Sequence, residues 1–372
     1  MQRRSFLSLL LCALLYWAGA ALSTHCAYAL DTPEQPYLDE RIRLTQPHIA
    51  VVLPVQSTSF GRYADSVRLG VLAAAAVSQD PLLPVIVYAT TEEPARIIDS
   101  YQRALSTGAR AVIGPLTRNA VSALAISGQV TVPTLALNAP DTEVALPPDL
   151  YVFGLQIESE ARQVAQLAFK QGGRKSLVVV GETLVGRRIA QAFMDEWRSL
   201  KADIANQFVY TTDPSTLTKL GELVNSTLAD VVFMSLDAPR ARFIRPYLGT
   251  RLPIYATSIV YLWNAVRLEN YDLEGLRFLD MPWLLQPDHP AVMSYQRPVL
   301  QSGALDQERF YALGVDAYRI VQVLLQSPAQ MPAIDGVTGT VKLMPGQQFT
   351  HDLVPAQFAN GSVRMLESIL AR

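Results

Sequence analysis

Short runs of Val, Ile and Leu recur along this chain, and helical periodicity fills the spaces between many of them. The runs are IAVVLP (49–54), PVIVYAT (84–90), AVIGP (111–115), PTLALN (133–138), YVFGLQ (151–156), SLVVVG (176–181), ADIANQFVY (202–210), DVVFMSL (230–236), PIYATS (253–258) and LRFLDMP (276–282). Most are continuously apolar rather than alternating, which is what a strand needs when helices cover both faces of its sheet. Between and after them lie RYADSVRLGVLAAAAVS (62–78), ARIIDSYQRALSTG (95–108), SEARQVAQLAFKQGG (159–173), RRIAQAFMDEWRSL (187–200) and RFYALGVDAYRIVQVLLQ (309–326). Each places apolar side chains on one helical face. In the third, Ser159 is the expected N-cap, with Glu158 and Glu160 near the positive helix end. This alternation predicts βαβ units and an α/β fold with mostly parallel sheets.

The alternation divides into two comparable blocks, so the expected architecture is two doubly wound, mostly parallel-sheet lobes joined by a hinge. The expected boundaries are a signal peptide at 1–29, a linker at 30–47, lobe 1 at 48–154 with 282–329, and lobe 2 at 155–281 with 330–366. A length of 372 residues is ample for two cores. In the tail, Pro345-Gly346 and Asn360-Gly361 read as hairpin turns.

Residues 1–29 are read as a cleaved export signal. Arg3-Arg4 precede the apolar run FLSLLLCALLYWAGAAL (6–22) and the small-x-small end Ala27-Tyr28-Ala29. RRSFL (3–7) suits twin-arginine export as well as an ordinary basic start. Cleavage after Ala29 removes two arginines and no acid, so the whole-chain net charge of −2 becomes −4. It also removes Cys12 and Cys26, leaving no thiol for catalysis or metal binding. Lipid attachment at Cys26 wants a small preceding residue, and His25 stands there. The expected product is a soluble periplasmic protein without a membrane anchor. The charge balance offers no surface for nucleic acid.

Motifs for chemistry are scarce. GETLVGRR (181–188) has the glycine spacing of a phosphate loop, but Arg187 and Arg188 stand where Lys and Ser/Thr are needed. There is no G-x-G-x-x-G and no G-x-S-x-G. His48 opens the first strand, His289 sits before a helix in PDHP, and His351 lies in the tail hairpin; none has a second histidine at metal spacing. The acids Glu92, Glu93, Asp141, Glu143, Asp195 and Glu196 read as solvated surface. No metal, cofactor or catalytic residue is expected, and the chain is not read as an enzyme.

The better candidates are residues at strand ends. RAVIGPLT (110–117) shows why: a strand runs into Gly114-Pro115, and open α/β sheets keep their ligand crevice at such ends. Possible cleft contacts are Gln56, Ser57, Thr58, Thr90, Thr91, Leu116, Thr117 and Asn138 in the first block. In the second they are Gln156, Glu182, Thr183 and Asp237. Their hydroxyls and backbone N–H groups suit a carboxylate or amide, and equally suit caps and turns.

IAVVLPVQSTSFGRYADSVRLGVLAA (49–74), RAVIGPLT and GVTGTV (336–341) resemble the type I periplasmic binding protein fold. Further stretches resemble the penicillin-binding protein activator family (LpoA/LppC). They are GPLTRNAVSAL (114–124), IAQAFMDEWRSL (189–200), PIYATS (253–258), LEGLRFLDMPWLL (273–285), ERFYALGVDAY (308–318), and IDGVTGTV followed by DLVPAQFANGSV (334–341, 352–363). The resemblance spans residues 48–366. It implies a non-enzymatic periplasmic protein that stimulates a class A penicillin-binding protein in peptidoglycan synthesis through protein contact. The bilobed fold also fits a solute-binding protein that delivers an amino acid or amide to an ABC transporter.

Overall fold

The computed structural model describes residues 46–141, 143–262, 267–298, 305–326 and 331–366. The signal peptide, Cys12, Cys26 and nearly all of the linker lie outside the described residues. The first part of the chain runs β1 (His48–Leu53), α1 (Gly61–Val77), β2 (Val85–Ala89), α2 (Pro94–Ser106), β3 (Ala109–Ile113), α3 (Arg118–Ile126), β4 (Thr134–Ala136) and β5 (Leu150–Val152). The second part begins with α4 (Ile157–Lys170), β6 (Lys175–Val180), α5 (Leu184–Ser199), β7 (Asp203–Val209), α6 (Pro214–Ser226), β8 (Val231–Met234), α7 (Ala238–Ile244), β9 (Ile254–Ala256), α8 (Arg267–Tyr271) and β10 (Leu276–Asp280). Three more helices follow: α9 (Pro282–Leu285), α10 (Pro290–Met293) and α11 (Leu305–Gln326). The tail is all strand: β11 (Ile334–Asp335), β12 (Thr340–Met344), β13 (Gln348–Asp352), β14 (Val354–Ala359) and β15 (Ser362–Met365).

Two sheets result. The first has the order β11-β12-β13-β5-β4-β3-β1-β2, and the second β15-β14-β10-β9-β8-β6-β7. Strands within each block pair in parallel, as continuous apolar runs require. We call each sheet, with the helices on it, a lobe. Side chains of α1 and α11 cover one face of the first sheet, and those of α2 and α3 the other. On the second sheet α4 and α5 lie opposite α6 and α7.

Helices α1 and α11 touch backbone to backbone. A Cβ on Gly70 would collide with the Tyr311 carbonyl oxygen, and one on Gly314 with that of Val67. The small residues of LGVLAA and ALGV are therefore packing surface.

The tail departs from the expected partition. Sequence placed all of 330–366 in lobe 2, yet β11–β13 extend the first sheet, with Gln348 opposite Val152, and only β14–β15 join the second. The chain changes sheets at Leu353, between β13 and β14. Both hairpin turns stand where Pro345-Gly346 and Asn360-Gly361 predict them. Asn360 and Gly361 have φ of 55° and 69°, the paired positive values of a two-residue hairpin. One helix start also moves: α4 begins at Ile157 with Gln156 as N-cap, upstream of Ser159.

Candidate functional site

The chain passes between lobes at three places: after β5 through Leu155 and Gln156, after β10 through Met281, and at Leu353. All three border one cavity of about 190 Å³ between the lobes. Gln163 on α4 holds the last crossing, donating to the His351 carbonyl at 2.9 Å and accepting from the Leu353 N–H at 3.0 Å.

The polar side of this cavity is built from four elements. Glu160 projects from the first turn of α4, and Ser258 follows β9. Asp280 ends β10, and Arg309 comes from α11 on the other lobe. Arg309 binds Asp280 through two bonds, Nη2 to Oδ2 at 2.6 Å and Nε to Oδ1 at 3.3 Å. Its Nη2 also donates to the Ser258 carbonyl at 3.3 Å, and its Nη1 lies 3.6 Å from Asp306. Glu160 accepts from the Ser258 backbone N–H and, at 3.0 Å, from its hydroxyl.

Charge is unevenly matched here. Glu160, Asp280 and Arg309 are all buried or nearly so, at 8%, 2% and 11% exposure, and among the described residues only Asp280 of the two carboxylates forms an ion pair. Burial and then the charge of Asp280 push Glu160 up to about 8, against the hydrogen bonds from Ser258 and the attraction of Arg309. Burial works against the Arg309 charge, but Asp280 and its neighbours hold that charge firmly in place. His351 also lines the cavity; burial lowers it to about 4, so it is neutral.

Of the strand-end candidates, only Gln156 lines this cavity. Gln56, Thr90 and Thr91 border a separate recess with Arg96, Asp99 and Arg103. Other candidates are engaged in local turns. Ser57 accepts from the N–H groups of Ser59 and Phe60 at 3.2 and 2.9 Å, while Thr58 is exposed beside it. Thr183 and Asp237 cap α5 and α7, accepting from Gly186 and Arg240. Arg187 donates to the Glu182 carbonyl. Asn138 donates to the Leu116 carbonyl at 3.2 Å, and the hydroxyl of Thr117 is buried without a partner. At Gly114 φ is +117°, and a Cβ there would strike the Val52 carbonyl, so the turn requires glycine.

A second link crosses between lobes. Glu158 on α4 contacts Arg188 on α5 and lies 3.9 Å from Arg118 at the start of α3. His289 caps α10 by accepting from the Ala291 N–H at 3.3 Å, as PDHP suggested. His48 is a structural residue, bonded to the Gln46 carbonyl at 2.8 Å and the Tyr88 hydroxyl at 2.9 Å. Among the described residues no cluster of three metal-ligating side chains occurs, and no helix is long and apolar enough to cross a membrane.

The family model described as "LppC putative lipoprotein" matches residues 24–228 and 220–361. The chain belongs to the LppC family. Curated relatives of this LppC chain include penicillin-binding protein activator LpoA of Edwardsiella ictaluri, 27% identical over 81% of this chain and 50% of the relative. The LpoA of Pasteurella multocida is 26% identical over 94% and 60%. The chain thus spans about half to three fifths of the length of these relatives. Among solved structures, the LpoA C-domain of Haemophilus influenzae, described as a regulator of PBP1A, matches with a TM-score of 0.72 at 22% identity. It covers 86% of this chain and 100% of that one, and at that identity the likeness is one of fold. A Chromobacterium violaceum protein, described as a putative branched-chain amino acid ABC transporter, matches with a TM-score of 0.72 at 37% identity over 84% and 100%. LppC membership agrees with a periplasmic location. It gives no support to the expectation that Cys26 escapes lipidation.

Proposed function

We propose that this LppC chain is a non-enzymatic regulator that stimulates a class A penicillin-binding protein through protein contact in the periplasm. The observation that carries this reading is the family match, which runs from residue 24 to residue 361 across both lobes. The relatives named as activators, and a C-domain of matching fold described as a regulator of PBP1A, point the same way. The scarcity of catalytic motifs fits a regulator. The test is reconstitution: purified mature chain is added to a class A synthase with lipid-linked substrate, and cross-linked product is measured. Stimulation that depends on binding supports the reading; unchanged cross-linking together with no co-purifying synthase overturns it.

A second reading, solute delivery to a transporter, rests on the 37% identity to the Chromobacterium violaceum protein. A thermal-shift screen with amino acids and amides tests it, since a ligand at a hundred times its Kd adds about 2.7 kcal/mol. Two finer points belong with the main reading. Lobes that follow the sheets are 48–152 with 282–352, and 157–280 with 354–365. The mature chain is taken to start after Ala29, and its intact mass distinguishes this from a lipidated Cys26.

A further inference from the structure

The interlobe cavity is chemically one-sided. Leu155, Ile157, Ile259, Met281, Phe310 and Leu353 supply an apolar wall. Facing it are the carboxyl groups of Glu160, Asp280 and Asp306, with Arg309 as the one cation in the lining. Arg309 turns its donors onto Asp280, Ser258 and Asp306, so little of its charge is left for a guest. The Nδ1 of His351 is buried and has no hydrogen-bond partner. A neutral imidazole carries one unprotonated ring nitrogen, which can accept a hydrogen bond. Gln156 adds only a neutral amide. The lining therefore offers acceptors and negative charge beside an apolar surface.

We infer that this cavity binds a small protonated primary amine, its ammonium group among Glu160, Asp280, Asp306 and His351 and its short apolar stem against Ile157 and Phe310. An ammonium brings three donors and one positive charge, which is what these acceptors lack. At neutral pH the excess charge is met by a proton on Glu160. The amine replaces that proton: it enters as the cation, and Glu160 gives its proton to solvent. A carboxylate or phosphate guest finds no free cation here and meets three acidic groups. Because the three crossings border the cavity, its occupant touches both lobes. This site does not depend on the regulatory role, and either can fail alone.

The probe is n-butylammonium chloride, with n-butanol and sodium butyrate as uncharged and anionic controls, titrated calorimetrically into the mature chain at pH 7. Two buffers of different ionisation heat report proton release. The expected result is saturable binding of butylammonium, roughly tenfold or more tighter than butanol, and none of butyrate. Release of about one proton per amine is expected in wild type and none in E160Q. Asp306 is largely exposed, so D306N should fold normally and bind the amine several-fold more weakly. Equal binding of butanol, absence of saturation, no proton release in wild type, or wild-type affinity in D306N each overturns the assignment.

Discussion

Arg309 on α11 reaches out of its own lobe and closes a two-bond ion pair with Asp280, at the last residue of β10 in the other. Two elements that belong to different lobes are thereby joined by a buried charge pair. Breaking such a pair costs far more than forming it gains, because the surviving charge stays buried. R309M should therefore destabilise by about 3–5 kcal/mol, and D280N by a comparable amount. Urea unfolding measures both; an R309M midpoint equal to wild type would show that the pair carries no such burden.

Stability should also depend on pH through Glu160. Its folded value of about 8 lies above the ordinary carboxyl value of 4.5, so the fold binds this proton more tightly than the unfolded chain does. That contribution is complete below about 4.5 and is lost as pH rises to about 8. The charged or titratable groups facing it are Asp280, Arg309, Asp306 and His351. His351 acts in the opposite sense: held at about 4 against 6.5, its contribution is present above 6.5 and fades as pH falls toward 4. Comparing E160Q with wild type isolates the first effect. Melting temperatures taken from pH 5 to 9 should show the variant gaining on wild type as pH rises. Parallel curves would contradict the assignment.

Alanine at Gly70 or Gly314 meets a backbone carbonyl, which cannot rotate aside as a side chain can. Each substitution should cost about 1–3 kcal/mol or more, since α1 and α11 must separate. The two costs should combine to less than their sum, because one separation relieves both contacts. Denaturation of G70A, G314A and the double variant checks this, and full additivity would count against a shared contact.

The local rules of the chain were readable, and so was the fold built from them. Continuous apolar runs marked parallel strands, and Asn360-Gly361 marked its own turn. Two of the stretches that resemble the activator family meet in space. Asp316 of RFYALGVDAY accepts from the Val337 and Thr338 N–H groups at 3.1 and 2.8 Å and from the Thr338 hydroxyl at 2.6 Å, so it fastens the GVTGTV loop onto α11. What sequence could not supply was partnering at long range. Turn chemistry predicts a hairpin but not the sheet it joins, and the tail was assigned to the wrong one in part. The charged side of the interlobe cavity was missed for the same reason, since Glu160, Asp280 and Arg309 come from distant segments. A signal was present: Asp280 and Arg309 each stand at the edge of an apolar stretch, LRFLD and RFYAL. Charges so placed end up either on the surface or paired in the core, and only the fold decides between them.

The change of sheets at Leu353 also sets the order in which this protein can be finished. The first sheet lacks its outer strands until residue 352 has been made, and the second lacks its own until residue 365. A chain emerging N-terminus first, from a ribosome or through a membrane pore, thus holds two incomplete sheets until its last strands arrive. Both are then completed by one continuous segment, so that neither lobe is ripe long before the other.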